Sequence, residues 1–119
     1  WCSFCASISA QLGATTLSIH HMNKSGLVGT ESSMEARQSI RGASSIVDGM
    51  RFALALWLAN DYEDVCIEQG VAPEPTRVVR ASVVKTNSGD VDTSVMTLFR
   101  GINSPVLDLI ENNKKITIV

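Results

Sequence analysis

The sequence predicts an α/β domain that ends in antiparallel hairpins. Three observations predict it. Apolar residues at the start recur at helical spacing, and the runs at 14–19 and 76–86 are rich in β-branched residues. A polar, Gly-containing turn at 87–90 then separates two strand-like segments. The chain has 119 residues, one domain by length, and its 45% hydrophobic and 18% charged residues are ordinary for a globular protein.

The elements follow in order. Trp1, Phe4, Cys5, Ile8 and Leu12 share one helix face, and Gly13 directly after them suits a left-handed C-cap. Ala14–Ile19 reads as a buried strand running into His20–His21. Residues 22–41 show no usable periodicity and read as a long polar loop, a kind that usually carries function or is disordered. In the following "GASSIVDG", Ser45 is placed to cap a short helix with Asp48 as its capping-box partner.

Met50–Ala59 fits two readings. Its Ala and Leu content favours a helix, while the alternation of Phe52, Leu54, Leu56 and Leu58 with other residues fits a buried strand. Asp61–Gln69 reads as a short helix ending at Gly70, and Pro73 and Pro75 break the chain after it. Thr76–Thr86 is a strong strand, Asn87–Asp90 a turn, and Val91–Arg100 the returning strand of a hairpin. Ser104–Pro105 marks another turn, and "VLDLI" and "ITIV" flank an Asn/Lys turn as a last short hairpin.

Composition narrows the function. The net charge is −2, so nucleic-acid contact must be local, through a few placed cations rather than a basic coat. No run approaches the ~20 apolar residues of a membrane span, and no secretion signal is visible. Three cysteines, an odd number, argue against a disulfide framework. Reduced cysteines and no signal make the cytoplasm the expected compartment, with no membrane partner. The chain starts at Trp1 rather than Met, as a truncated or processed chain would.

Several chemistries can be weighed on residues alone. "WCSFC" has the Trp-Cys-x-x-Cys pattern of thiol redox sites, where a helix N-terminus lowers a cysteine pKa. Such a site needs a strand leading into it, and none precedes residue 1, so packing of the opening helix is the plainer account. Cys2, Cys5, His20 and His21 could be set out as zinc ligands, but adjacent histidines at a strand end point to opposite sides. No G-x-x-x-x-G-K-[ST] string occurs, so the chain alone lacks the phosphate-cradling loop of a P-loop nucleotide site.

Three further strings occur in order: "SIHHMNKSG" (18–26), "IRGASSIVDGMRF" (40–52) and "VVKTNSGD" (83–90). Together they resemble the RepA-type hexameric replicative helicases, a DnaB-related branch of the RecA-like P-loop ATPases. The family's strand ending in His-His then Lys, its Arg-Gly-Ser-Ser and its Lys-x-Asn-x-Gly all have counterparts, with Gly42-Ala43-Ser44-Ser45 departing from Gly-Ser-Ser. The resemblance covers about residues 3–110.

It implies that the chain is the C-terminal half of a RecA-like sheet, with the Walker A and Walker B segments and the catalytic glutamate upstream of Trp1. It also implies roles in the intact parent. His21 would be the γ-phosphate sensor, with His20 the less favoured choice, and Lys85 the finger inserted in trans towards the γ-phosphate of a neighbour. Lys24, Arg37 and Arg41 would be cations of a pore loop holding single-stranded DNA, diluted by Glu31 and Glu35. Arg41 and Arg51 would hold the loop base or pair with Asp48. ATP and Mg belong to the parent, with none for this chain alone, and the parent would be a hexamer serving plasmid, phage or mobile-element replication. The isolated half is expected to be catalytically inactive and, with an unpaired sheet edge, to form a dimer or swapped assembly. The alternative is a non-catalytic binding or assembly module with a truncated fold.

Overall fold

The computed structural model describes residues 2–21, 30–40, 44–111 and 114–115. It is a mixed α/β domain. Helix α1 (Cys2–Leu12) opens the chain, followed by α2 (Ser33–Gln38), α3 (Ser44–Asp48), strand β1 (Phe52–Leu58) and α4 (Tyr62–Glu68). A 3-10 turn (Pro75–Arg77) leads into β2 (Val78–Thr86), then β3 (Met96–Arg100), β4 (Leu107–Glu111) and the two-residue β5 (Lys114–Lys115). The strands form one sheet in chain order, each pairing antiparallel with the next. Among the described residues, no helix is long and apolar enough to cross a membrane.

The pairing decides what the pattern left open at Met50–Ala59. An apolar run becomes a strand where a neighbour satisfies its N–H and C=O groups. Here β2 supplies them over the whole length, with Trp57 opposite Arg80 and Ala55 opposite Ser82. A register shift between Ala53 and Leu54 sets Val84 out of the ladder as a bulge. β2 is the most buried strand, and only its first half, Val78–Ala81, has β3 on the other side.

Both α2 and α4 pack on one face of the sheet. Val65 and Cys66 of α4 join Ala59, Val78, Phe99 and Ile110 in one cluster. Ala36 of α2 joins Ala55, Trp57 and Val84 in a second. Each fully buried Val or Phe side chain contributes about 1.5–3 kcal/mol. β1 therefore turns its small residues and Trp57 towards the helices. Its large residues, Phe52, Leu54, Leu56 and Leu58, face the opposite way and remain exposed.

Several expectations need correcting. Ala14–Ile19 is not a strand. It is irregular and exposed, Leu17 at 89% and Ile19 at 93%, because among the described residues no neighbouring strand offers it a ladder. The opening helix forms and ends at Gly13 with φ +62°, as read, but α1 buries none of its residues. The polar loop contains a helix: the Ser32 hydroxyl accepts from the Glu35 N–H at 3.2 Å, and the Glu35 carboxylate accepts from the Glu31 N–H at 2.8 Å. Helix α3 starts at Ser44, placing Ser45 inside it, and Asp48 pairs with Arg37 instead of closing a capping box.

The returning hairpin strand is shorter than read: Val91–Val95 stays irregular, and only Met96–Arg100 pairs. There Asp92 and Ser94 form a local turn, the Ser94 N–H donating to the Asp92 carboxylate at 2.8 Å, which competes with ladder pairing. "VLDLI" supplies β4, but its partner is Lys114–Lys115; "ITIV" lies outside the described residues. The described strands contain no parallel pair.

Candidate functional site

The residues singled out by sequence are brought together only in part. Lys85 sits near the end of β2, half-buried, opposite Ala53. Residues opposite each other on paired strands share a face, and Ala53 packs against the α2 cluster, so Lys85 is on the helix-covered side. Its Nζ donates to the Asp48 carbonyl at 3.1 Å, the last residue of α3. Arg37, from α2, donates to the Asp48 carboxylate. One residue, Asp48, thus ties the middle of the second string to Lys85 of the third and to Arg37 of the intervening loop.

The energies in this cluster are small. Arg37 and Asp48 are 38% and 57% exposed, so their pair contributes no more than about 1 kcal/mol. The Lys85 bond is to a neutral acceptor, again about 1 kcal/mol net. The cluster therefore holds its cations in place weakly, and either can be drawn to an anion without unfolding the sheet. Arg51 does not pair with Asp48; it is exposed, and its carbonyl accepts the Asn87 N–H at 3.0 Å, closing the base of the β1–β2 pair.

His20 and His21 are exposed at the end of the irregular stretch after α1. Lys24 and Arg41 lie outside the described residues. Cys2, at the start of α1, donates its thiol to the Ile46 carbonyl at 3.6 Å, and all three cysteines are free thiols. Among the described residues, no three His, Cys, Asp or Glu side chains gather as metal ligands.

A second polar locus lies four residues along β1 from Ala53, about 13 Å at strand rise. A cleft of roughly 400 Å³ is lined there by Thr30, Glu31, Trp57, Asn60, Asp61 and Arg80. Arg80 Nη2 donates to both Asp61 oxygens, at 2.7 and 2.8 Å, and its Nη1 donates to Thr97. Its charge is therefore used in joining β2 to β3 and to the start of α4. Trp57 is 2% exposed and its indole N–H is buried without a partner, which costs about 1–3 kcal/mol.

Sequence reasoning did not find this cleft. Its residues come from four separate segments, and the one local signal was an Asp immediately before a helix, at Asp61. No known protein family, curated protein or solved structure matches this chain.

Proposed function

We propose that the chain is the C-terminal half of a RecA-like ATPase core of the RepA helicase type, acting in DNA replication as part of a homo-oligomeric ring. The observation that supports this reading is the convergence of Lys85, Asp48 and Arg37, which brings the second and third strings together at one end of the sheet. In that ring Lys85 is the cation offered to a neighbour's γ-phosphate, where developing charge needs a fixed donor. Its single bond to the Asp48 carbonyl orients the ammonium and is exchanged for phosphate oxygen at little cost. Arg37, with Lys24 and Arg41, contacts the backbone of single-stranded DNA without reading sequence. His21 senses the γ-phosphate. ATP and Mg bind through the half of the core that carries the P-loop, and the chain alone has no catalytic activity.

The test starts from the DNA upstream of the Trp1 codon. A continuous frame with a Gly-Lys-Ser/Thr loop about a hundred residues earlier is expected, and its product is expected to hydrolyse ATP. Lys85→Ala in that product should lower kcat by about 10³-fold, the scale on which trans-acting cations contribute. A start codon adjacent to Trp1, or a Lys85→Ala enzyme with unchanged kcat, would remove the ATPase reading.

A further inference from the structure

Two surfaces of this chain expose large apolar side chains. The first is the sheet face opposite α2 and α4. Its exposed apolar residues are Phe52, Leu54, Leu56 and Leu58 of β1; next to them on this face β2 places Val79, Ala81 and Val83, all buried, and beyond these lie Leu98, Leu109 and Arg100, all half-buried. Leu56, in mid-strand, remains 49% exposed. A sheet apolar on both faces is normally covered on both. β1 is also an edge strand, so its outer N–H and C=O groups have no neighbour in the sheet.

The second surface is the N-terminal arm, α1 with the irregular stretch to Ile19. Cys2 to Ile19 contains no charged residue. Phe4, Ile8 and Leu12 are four residues apart and line one face of α1, and Leu17 and Ile19 are exposed in the irregular stretch that follows. None of α1 is buried.

We propose that the occupant of the bare sheet face is the N-terminal arm of a second copy of this chain, the two copies exchanging arms reciprocally. Three observations select that occupant. Both surfaces expose large apolar side chains, the arm carries no charge, and every copy has both, so a closed two-fold exchange covers each of them. Their size is sufficient: the exposed parts of the large apolar residues come to roughly 900 Å² per protomer, and twice that falls within the span of stable interfaces.

The third observation is where the arm is held. Cys2 is tied to Ile46 of α3, and α3 is held by Arg37 and Lys85 on the helix-covered side. While that contact stands, the arm starts on the wrong side of its own sheet to reach the bare face, and a partner's face is open to it. The β-branched stretch Ala14–Ile19 then lies along an unpaired β1 edge and gains the ladder that it lacks in the single chain. The inference uses no nucleotide chemistry, and its test is made on the 119-residue chain itself.

The test is sedimentation velocity on the 119-residue chain, with a face variant, Leu56→Arg, and an arm variant, Leu17→Asp. The unaltered chain is expected to sediment as a dimer at tens of micromolar. Each variant alone should weaken the dimer at least 100-fold while keeping its circular-dichroism spectrum. Mixing the two variants is the discriminating step, because the face variant's intact arm can still occupy the arm variant's intact face. A 1:1 heterodimer should form where neither variant self-associates. If Leu56→Arg disturbs the sheet, Leu54→Lys takes its place. A monomeric unaltered chain overturns the proposal, as does a variant that still dimerises. A mixture that stays monomeric overturns it too, because no arm of one copy then occupies the face of the other; face-to-face packing would instead leave the arm variant dimeric.

Discussion

Ala14–Ile19 and Phe52–Leu58 are alike in chemistry and opposite in fate. Both are short and uncharged, and the first has the higher share of β-branched residues. Phe52–Leu58 is a strand because β2 runs beside it and takes up its backbone hydrogen bonds, and because Ala55 and Trp57 find α2 above them. Ala14–Ile19 has neither a ladder nor a layer, and its side chains stand in solvent. The difference teaches that a strand belongs to a pair of segments. Propensity of order 1 kcal/mol per residue leaves a lone segment without the hydrogen bonds that would repay its ordering.

The comparison is broken or sharpened first by core truncation. Trp57→Ala is expected to cost about 3–5 kcal/mol, because it empties a side chain that is 2% exposed and packed between β1 and α2. Leu56→Ala, one residue away on the bare face, should cost about 1 kcal/mol or less, and Ile19→Ala under about 0.5 kcal/mol. Urea unfolding at protein concentrations low enough to keep the chain monomeric measures all three. A cost above 1 kcal/mol for Ile19→Ala would mean that the arm is packed within the single chain, and the contrast would fail.

Two glycines offer a smaller contrast of the same kind. Gly70 ends α4 at φ +74° and Gly13 ends α1 at φ +62°, both left-handed, and neither has an atom within 4 Å of an added Cβ. The local strain of Ala is therefore the same at both, about 1–2 kcal/mol. Only at Gly70 does that strain oppose global folding, since α4 is anchored by Val65 and Cys66 in the core. Gly70→Ala is expected to lower the thermal midpoint by several degrees. Gly13→Ala should leave it unchanged, because α1 can fray without loss of buried contacts. Equal shifts for both would place α1 in the cooperative unit.

What could be read from the sequence follows the same division. Elements fixed by local chemistry were legible: β2 through its β-branched run, α4 through Gly70 and the prolines after it, and the end of α1 at Gly13. The mixed α/β class was legible too. Elements fixed by partners were not. The choice between helix and strand for Phe52–Leu58 rests on β2, which lies some twenty residues further along the chain. Helix α2 hid in a polar run because a single residue, Ala36, is buried from it, although Ser32 and Glu35 carried a capping signal at the expected spacing.

The candidate sites divide likewise. Lys85 was placed correctly on a strand ahead of a turn, but its bond to Asp48 crosses 37 residues and has no local signature. Arg37 was read as a loop cation and sits in a helix facing Asp48. The cleft at Trp57 joins the 57–61 segment to Thr30, Glu31, Arg80 and Val95, which are distant from it in sequence.

The smallest expected effect concerns acid. The Asp92 carboxylate accepts hydrogen bonds from the backbone N–H and hydroxyl of Ser94, and these hold its pKa below the ordinary 3.8 although it is fully exposed. A carboxyl with a depressed folded pKa contributes stability that is present above its unfolded value and is lost as pH falls through the folded one. Carbon-detected titration of the Asp92 side chain should therefore give a midpoint below 3.8. Ser94→Ala should raise that midpoint part of the way, since it removes the hydroxyl and keeps the N–H. The arm supplies the control: with no carboxylate between Cys2 and Ile19, none of the chain's acid sensitivity can arise within it. An Asp92 midpoint at or above 3.8 would mean that the Asp92–Ser94 turn is open in solution, and the irregular start of the returning hairpin strand would need another cause.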